Sequence, residues 1–375
     1  SVNSSEQAAG SNYNNDGATG TDALAAGVNA KATGEYSTAV GYAASAGHQL
    51  GVAIGYEAET RGDYSLALGA LAKAGTSGSW GTAIGYSAEA GGSSSPLAIG
   101  TYSKTISGVS PIAIGDWATG EGNGAVAIGS NAGGQHLPGR ATYAKGDHTV
   151  ALGSLAQATQ EKALALGANA NAAQRNSIAI GNEAEVENSP ANSSNSSIAI
   201  GDKAKAQGDL ALAIGPGATV SGESAAGGIA IGSAATSKNG GMAVGSGANA
   251  GNGTPMIPGL PVRLNNNVAL GDSALVKDDT NFRVALGSFS IAGESDLTAA
   301  PYKPTANANV AGIAGSGVEL GEVSVGGDNT AGMGKILYRR VTNVAAGAAD
   351  TDAVNVSQLK AAQAAATSKV AAGNG

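Results

Sequence analysis

The chain contains no cysteine, two phenylalanines, two tryptophans and three histidines among its 375 residues. Lack of cysteine excludes disulfide staples and thiolate metal sites. The histidines, at 48, 136 and 148, have no metal-ligand spacing, so no metal is expected. Charged residues are only 13% of the chain, the net charge is −8, and the 20 basic residues are scattered. That balance argues against nucleic acid and against attraction to anionic lipid. Ten prolines, with glycine not at every third position, exclude collagen. There is no apolar run of membrane length and no secretory signal. The Ser/Asn/Gly start and the Ala-rich end read as those of an excised fragment, with any export signal and anchor outside it. No catalytic constellation is visible. Gly78-Ser79-Trp80-Gly81 lacks a following helix and a phosphate-facing lysine, and the Gly-Gly-x-Gly-x-Asp calcium repeat is missing. Neither enzymatic activity nor a cofactor is expected.

What the chain has in abundance is glycine, 60 residues, and a phrase of the form apolar–Ala–apolar–Gly. It reads Thr38-Ala39-Val40-Gly41, Val52-Ala53-Ile54-Gly55, Leu66-Ala67-Leu68-Gly69 and so on to Val284-Ala285-Leu286-Gly287. Fourteen residues is the commonest step; the longest are 24, from Gly129 to Gly153, and 26, from Gly245 to Gly271. A short fixed period marks a stack of identical supersecondary units. Small residues stand three and five places after the motif glycine with a polar one between, as in Ala58-Glu59-Thr60. This alternation predicts a strand with one covered face. A second glycine, such as Gly34, Gly62, Gly108 or Gly146, often lies seven before the motif glycine, where a tight turn needs positive φ.

Each unit therefore reads as strand, turn, strand, turn, too short for a crossover helix. The units stack as parallel coils rising about 4.8 Å each. The preferred packing puts the bulky pair, for example Ile112 and Ile114, inside the coil and Ala113 outside. The reverse, with isoleucines at a subunit interface, stays open. Either way the coil encloses little core by itself and is expected to oligomerise.

After Gly287 the period dissolves. Segments 319–326 and 335–341 read as short strands joined by a turn around Asp328. Asp350 and Thr351 read as a helix start. Val356, Leu359, Gln363, Ala366 and Val370 then follow a coiled-coil spacing.

The Ser-Ile-Ala-Ile-Gly phrases at 177–181 and 197–201, and the run Val-Thr-Asn-Val-Ala-Ala-Gly…Asp-Thr-Asp-Ala-Val-Asn-Val-Ser-Gln-Leu at 341–359, resemble the head and neck of YadA-like trimeric autotransporter adhesins. The resemblance implies an all-β, left-handed parallel β-roll of about 14-residue coils, homotrimeric, followed by a neck and the start of a parallel trimeric coiled coil. On that basis residues 1–22 are a tail or cap, 23–287 the head, 288–338 an insertion, 339–352 the neck and 353–375 the start of the stalk. Val341, Asn343, Val344, Val356 and Leu359 are assigned to neck and trimerisation. The family's implied setting is the surface of a Gram-negative bacterium, held in the outer membrane by an anchor outside this fragment. Implied partners are collagen, fibronectin or laminin. The alternatives are a self-associating fibre for autoaggregation and biofilm, or a serum-resistance factor. The insertions and segment 288–338 depart from the family pattern, so no ligand residue is carried over.

Three features are candidates for ligand binding. Arg61-Gly62-Asp63 has the form that presents a guanidinium and a carboxylate to an integrin. Against this, glycine followed by an acid recurs in phase at Gly34-Glu35, Gly146-Asp147 and Gly208-Asp209. Tyr42, Tyr56 and Tyr86 follow motif glycines, and Tyr36, Tyr64 and Trp80 precede them by five. They are expected to form two broken ladders that either contact a ligand or stack on one another. The insertions 131–148, 186–196 and 246–267 must leave the coil as loops, and they offer His136, Arg140, Lys145, Met256, Ile257, Leu260 and Arg263. The apolar loop at 255–262 binds a partner or folds over a neighbouring subunit.

Overall fold

The computed structural model describes residues 12, 16–75, 80–131, 141–187, 196–222, 227–251, 267–277, 282–293, 321–329, 335–349 and 352–373. Among them the motif strands, from Leu24–Ala26 to Val284–Leu286, form one parallel sheet that Val323–Ser324 extends to 18 strands. The shorter strands between them, from Lys31–Ala32 to Thr236–Lys238, form a second parallel sheet of 14 strands. Isolated bridges through Asn249 carry this second ladder on to Leu275–Val276, which pairs with Ile291–Ala292. The chain is a two-sheet parallel β-solenoid.

Register is kept residue for residue. Ala25 pairs with Ala39, Ala39 with Ala53, and Ala53 with Ala67. The long steps do not disturb it: Val126–Ile128 pairs directly with Val150–Leu152, and Met242–Val244 with Val268–Leu270. Residues 132–140 and 252–266 of those steps, where the loops were expected, lie outside the described residues.

The interior corrects the preferred packing. Ala113 is fully buried, while Ile112 and Ile114 are half-exposed on the outer face. The same holds in every coil. Ser37, Ala39, Ala44 and Ala46 point inward and are at most 1% exposed, as are Ala53, Ala58, Ala67, Ala72 and Ala74 below them. Two strands of two or three residues, joined by tight corners, leave room between the sheets mainly for alanine and serine, with a threonine or valine in occasional coils, as at Thr105, Val186 and Val220. A pair of isoleucines or leucines from every coil does not fit inside. The outer face of the motif sheet therefore carries two columns of large apolar residues, with Ile54, Leu68, Leu152, Leu166 and Leu286 each 37–45% exposed. The second sheet faces out with polar residues, among them Glu59, Lys73, Glu89, Lys104, Glu185 and Lys205. Charges there pair between coils, as in Lys104 to Glu89 at 2.9 Å and Lys205 to Glu185 at 3.6 Å.

The corners explain the glycines. Gly41 has φ of 131°, and a Cβ there would sit 2.4 Å from the Gly55 carbonyl oxygen of the next coil. The arrangement repeats at Gly55 against Gly69 and at Gly167 against Gly181. The earlier glycines divide: Gly108 and Gly146 take positive φ, but Gly34 is required by close approach, with its would-be Cβ 2.0 Å from the His48 carbonyl oxygen. At that corner the left-handed residue comes two places later and is not glycine, as at Tyr36, Leu50 and Tyr64.

The roll runs past Gly287 and is then closed off. Arg283 occupies an interior-facing position of the last coil and pairs with Glu322 at 3.2 Å, with the two side chains 11% and 12% exposed. The Arg339 guanidinium lies against Gly287, where a further coil would otherwise stack. It donates to Ser290 Oγ at 2.8 Å and to the carbonyls of Val325 and Ser288. Beyond the roll, Gly327–Asn329 and Lys335–Leu337 pair antiparallel, so the run around Asp328 is itself a strand rather than a turn.

Candidate functional site: corners and neck

Each coil has two corners, one after the motif strand and one before it, and the aromatic residues concentrate there. After the strand, Tyr42 and Tyr56 stack at 5.3 Å with planes 9° apart. Two coils further on, Tyr86 meets Tyr102 edge-on at 5.3 Å, and Tyr102 stacks on Trp117 at 4.2 Å. At the other corner, Tyr64 and Trp80 meet edge-on at 6.2 Å. The two broken ladders are therefore present and the rings do stack. Stacking does not consume them: Tyr36, Tyr42, Tyr56, Tyr64, Trp80 and Tyr86 remain 45–61% exposed. The sequence reading missed Tyr102 and Trp117. Both stand two places after a motif glycine rather than one, so a search at a single offset passes over them. The Tyr56 hydroxyl bonds to Glu57, which raises its pKa.

Arg61-Gly62-Asp63 lies on the corner before a motif strand, and both charged ends are engaged within the roll. Arg61 holds Glu59 through Nε and Nη2, each at 2.8 Å. Asp63 Oδ1 accepts the Gln49 N–H at 3.2 Å and lies 3.6 Å from His48 Nδ1. The same bond joins the Asn123 N–H to Asp147 Oδ1 at 2.8 Å, and the Val109 N–H to Asn123 Oδ1 at 2.9 Å. An oxygen-bearing side chain at this position recurrently caps a backbone N–H of the preceding coil. At Asp147 that bond, with a second from the Asn123 side chain, lowers the carboxyl pKa. Asp63 thus does what the repeat asks of its position.

Of the insertion candidates, Lys145 is described, and it stands on strand Tyr143–Lys145 of the second sheet, exposed, rather than on a loop. His136, Arg140, Met256, Ile257, Leu260 and Arg263 lie outside the described residues.

At the C-terminal end, helix α1 spans Val356–Gly373. Its cap is Asn355, whose Oδ1 accepts the Gln358 N–H at 3.0 Å; Asp350 and Thr351, the expected start, lie outside the described residues. Gln358 reaches back, accepting the Gly347 N–H at 3.0 Å and donating to the Gly347 carbonyl at 2.9 Å. Asn355 Nδ2 donates to the Val344 carbonyl at 3.2 Å, and Asp352 Oδ2 accepts the N–H groups of Ala348 and Ala349 at 2.8 and 3.0 Å. Polar side chains thereby hold the segment before the helix in one shape. Val341, Val356 and Leu359 stay 63–67% exposed, and Asn343 takes a φ of 61°.

Two families match the chain. Residues 18–44, 49–72, 107–132, 144–170, 158–184 and 193–218 match the YadA head domain repeat. Residues 340–375 match the coiled stalk of trimeric autotransporter adhesin. The chain is a YadA-like adhesin head and neck. Among solved structures, the collagen-binding domain of the Yersinia adhesin YadA is 26% identical, over 57% of this chain and 81% of that one, with a TM-score of 0.34. No curated protein matches.

The segment before α1 is held in shape by these internal bonds. The two backbone bonds to Asp352 lower its pKa. A carboxyl held below its unfolded value stabilises the fold above about pH 4, and the contribution is lost as pH falls through the folded value. We expect the amide protons of Ala348 and Ala349 to lose protection, measured against the intrinsic rate at each pH, as pH falls below about 4, while those of the roll keep theirs. Asp352→Ala should show the lost protection already at neutral pH. Hydrogen exchange followed by NMR measures both.

Proposed function

We propose that the chain forms the trimeric adhesive head of a surface fibre on a Gram-negative bacterium, attaching the cell to host extracellular matrix, with collagen the first candidate ligand. The observation that carries the reading is the two-faced roll. The second sheet presents paired charges to water, whereas the motif sheet presents two columns made almost entirely of Val, Ile and Leu, with Ala26, Thr38, Thr82 and Met242 as the exceptions. A face of that size and composition requires a partner, and two further parallel copies cover it with identical columns around one axis. The exposed valines and leucine of the neck and α1 lie where a parallel coiled coil would bury them. Adhesion then benefits from three copies of each contact, since linked weak sites hold far more firmly than one.

Arg61-Gly62-Asp63 is not assigned to an integrin, because Arg61 and Asp63 are each held within the roll. The test is solid-phase binding of the purified head to collagen, fibronectin and laminin. Saturable binding to collagen supports the reading. Clumping of coated beads or cells with no binding to any of the three replaces it with a self-associating fibre.

A further inference from the structure

We propose that the two aromatic corner columns, which lie on opposite edges of one roll, meet between neighbouring copies. There they form three composite grooves that hold an extended, proline-rich polypeptide laid along the rod. The inference rests on the trimeric reading above.

Within one chain the columns cannot meet. Tyr36 and Tyr42 stand at the corners on either end of the same motif strand, Thr38–Val40, whose three extended residues alone span about 10 Å. In a cyclic trimer with the motif sheets facing the axis, the contact is heterologous: one edge of each roll lies beside the opposite edge of the next. Parallel copies place equivalent coils at one height. Tyr42 of one copy then faces Tyr36 of its neighbour, and Tyr86 faces Trp80.

The two columns fill each other's gaps. Where the column after the strand carries Ala70, the column before it carries Tyr64, at the other end of Leu66–Leu68. Where the second column carries Leu50, the first carries Tyr56, at the other end of Val52–Ile54. Four consecutive levels thus present at least one aromatic ring each across the seam, although each column alone is interrupted. Past Trp117 most corners carry small and polar residues such as Asn131, Ser154 and Asn182, until Phe282 and Phe289 take the two corner positions around Val284–Leu286. The continuous run of aromatic levels therefore belongs to the N-terminal coils.

Spacing and chemistry identify the occupant. Coils rise about 4.8 Å, so every second level recurs at about 9.6 Å. A polyproline-II chain repeats every three residues at 3.1 Å each, about 9.3 Å. Such a chain parallel to the rod meets successive two-coil intervals in step, and aromatic-lined grooves dock such chains. Its unpaired carbonyls suit exposed tyrosine hydroxyls. Glu35 and Glu57 beside the columns suit basic residues between the prolines.

The chain has two tryptophans, Trp80 and Trp117, and both belong to these columns, so intrinsic emission reports on them alone. We would titrate the full chain with a fifteen-residue Pro-Pro-Arg repeat peptide, using a Gly-Ser-Arg repeat as the control. The expected result is a saturable emission shift with the first peptide only. It should weaken at least tenfold in Tyr56→Ala/Tyr86→Ala and, independently, in Tyr64→Ala, with molar mass unchanged. No shift, wild-type affinity in either variant, or dissociation of the variants into single chains would overturn the assignment; in the last case the rings are seam packing. If the variants lose the peptide but still bind a matrix protein saturably, the groove stands and the matrix contact lies elsewhere. If the unaltered protein is monomeric, the trimeric reading itself has failed.

Discussion

Ile180→Asp should convert the protein into single chains. Ile180 stands on the outer face of Ile178–Ile180, in the apolar column between Leu166 and Ile200. In one copy it is only half-buried, and a carboxylate there reaches water at little cost. In the assembly it would be enclosed by two equivalent side chains, and three carboxylates would converge near one axis. An unpaired buried charge costs about 3–5 kcal/mol, and here it is incurred three times. Asn171→Asp is the control. Asn171 lies on the outer face of the second sheet, where it pairs with Glu185 in the ladder, and the same charge there should leave the assembly intact. Light scattering on both variants, with circular dichroism to confirm that the roll persists, separates the two faces directly. Loss of assembly in both, or in neither, would mean the apolar columns are not the seam.

Gly167→Ala should break the roll itself. Gly167 has φ of 137°, a region that side chains rarely adopt, and a Cβ there would lie 2.3 Å from the Gly181 carbonyl oxygen. Neither defect can relax alone. Turning the corner to a permitted φ moves the next motif strand, and shifting that strand breaks the in-register ladder between Leu164–Leu166 and Ile178–Ile180. The backbone strain alone is of order 1–3 kcal/mol, and the stacking clash adds to it. We expect a total on the order of 4 kcal/mol per chain, seen as a lower and broader thermal transition. Because coils contact only their neighbours, damage should localise, with the coils on either side retaining their amide protection. The same substitution at Gly227, where a Cβ would meet nothing within 4 Å, should cost much less.

The sequence carried the architecture openly because the coil is short and each of its positions has one job. The motif glycines marked the corners, and the alternation of Ala58, Glu59 and Thr60 marked the inward and outward sides of the second strand. What it did not carry was which side of the motif strand faces in. Alternation separates two faces without saying which is covered, and the usual preference for bulky residues inside points the wrong way here. The interior of a fourteen-residue coil admits alanine at this position, so Ile112 and Ile114 are left on the outer face. The end of the roll was also hidden. Arg283, Glu322 and Arg339 are far apart in sequence, and nothing in their spacing announces that they close the last coil. Asn355 was passed over as the helix cap because Asp350 and Thr351 offer equally good oxygens earlier. The candidate sites were legible in part. The aromatic columns followed from phase, but Tyr102 and Trp117 sit one place off the searched offset. Arg61-Gly62-Asp63 stands out as a tripeptide, yet Asp63 repeats the bond that Asp147 and Asn123 make.

The central claim is that the Val, Ile and Leu columns of the motif sheet are an interface and not a solvent face. The mass of the purified chain in dilute solution tests it most directly. The account predicts three times the 35.8 kDa of one chain, unchanged on tenfold dilution. A stable single chain of 35.8 kDa, with its roll intact by circular dichroism, would contradict it.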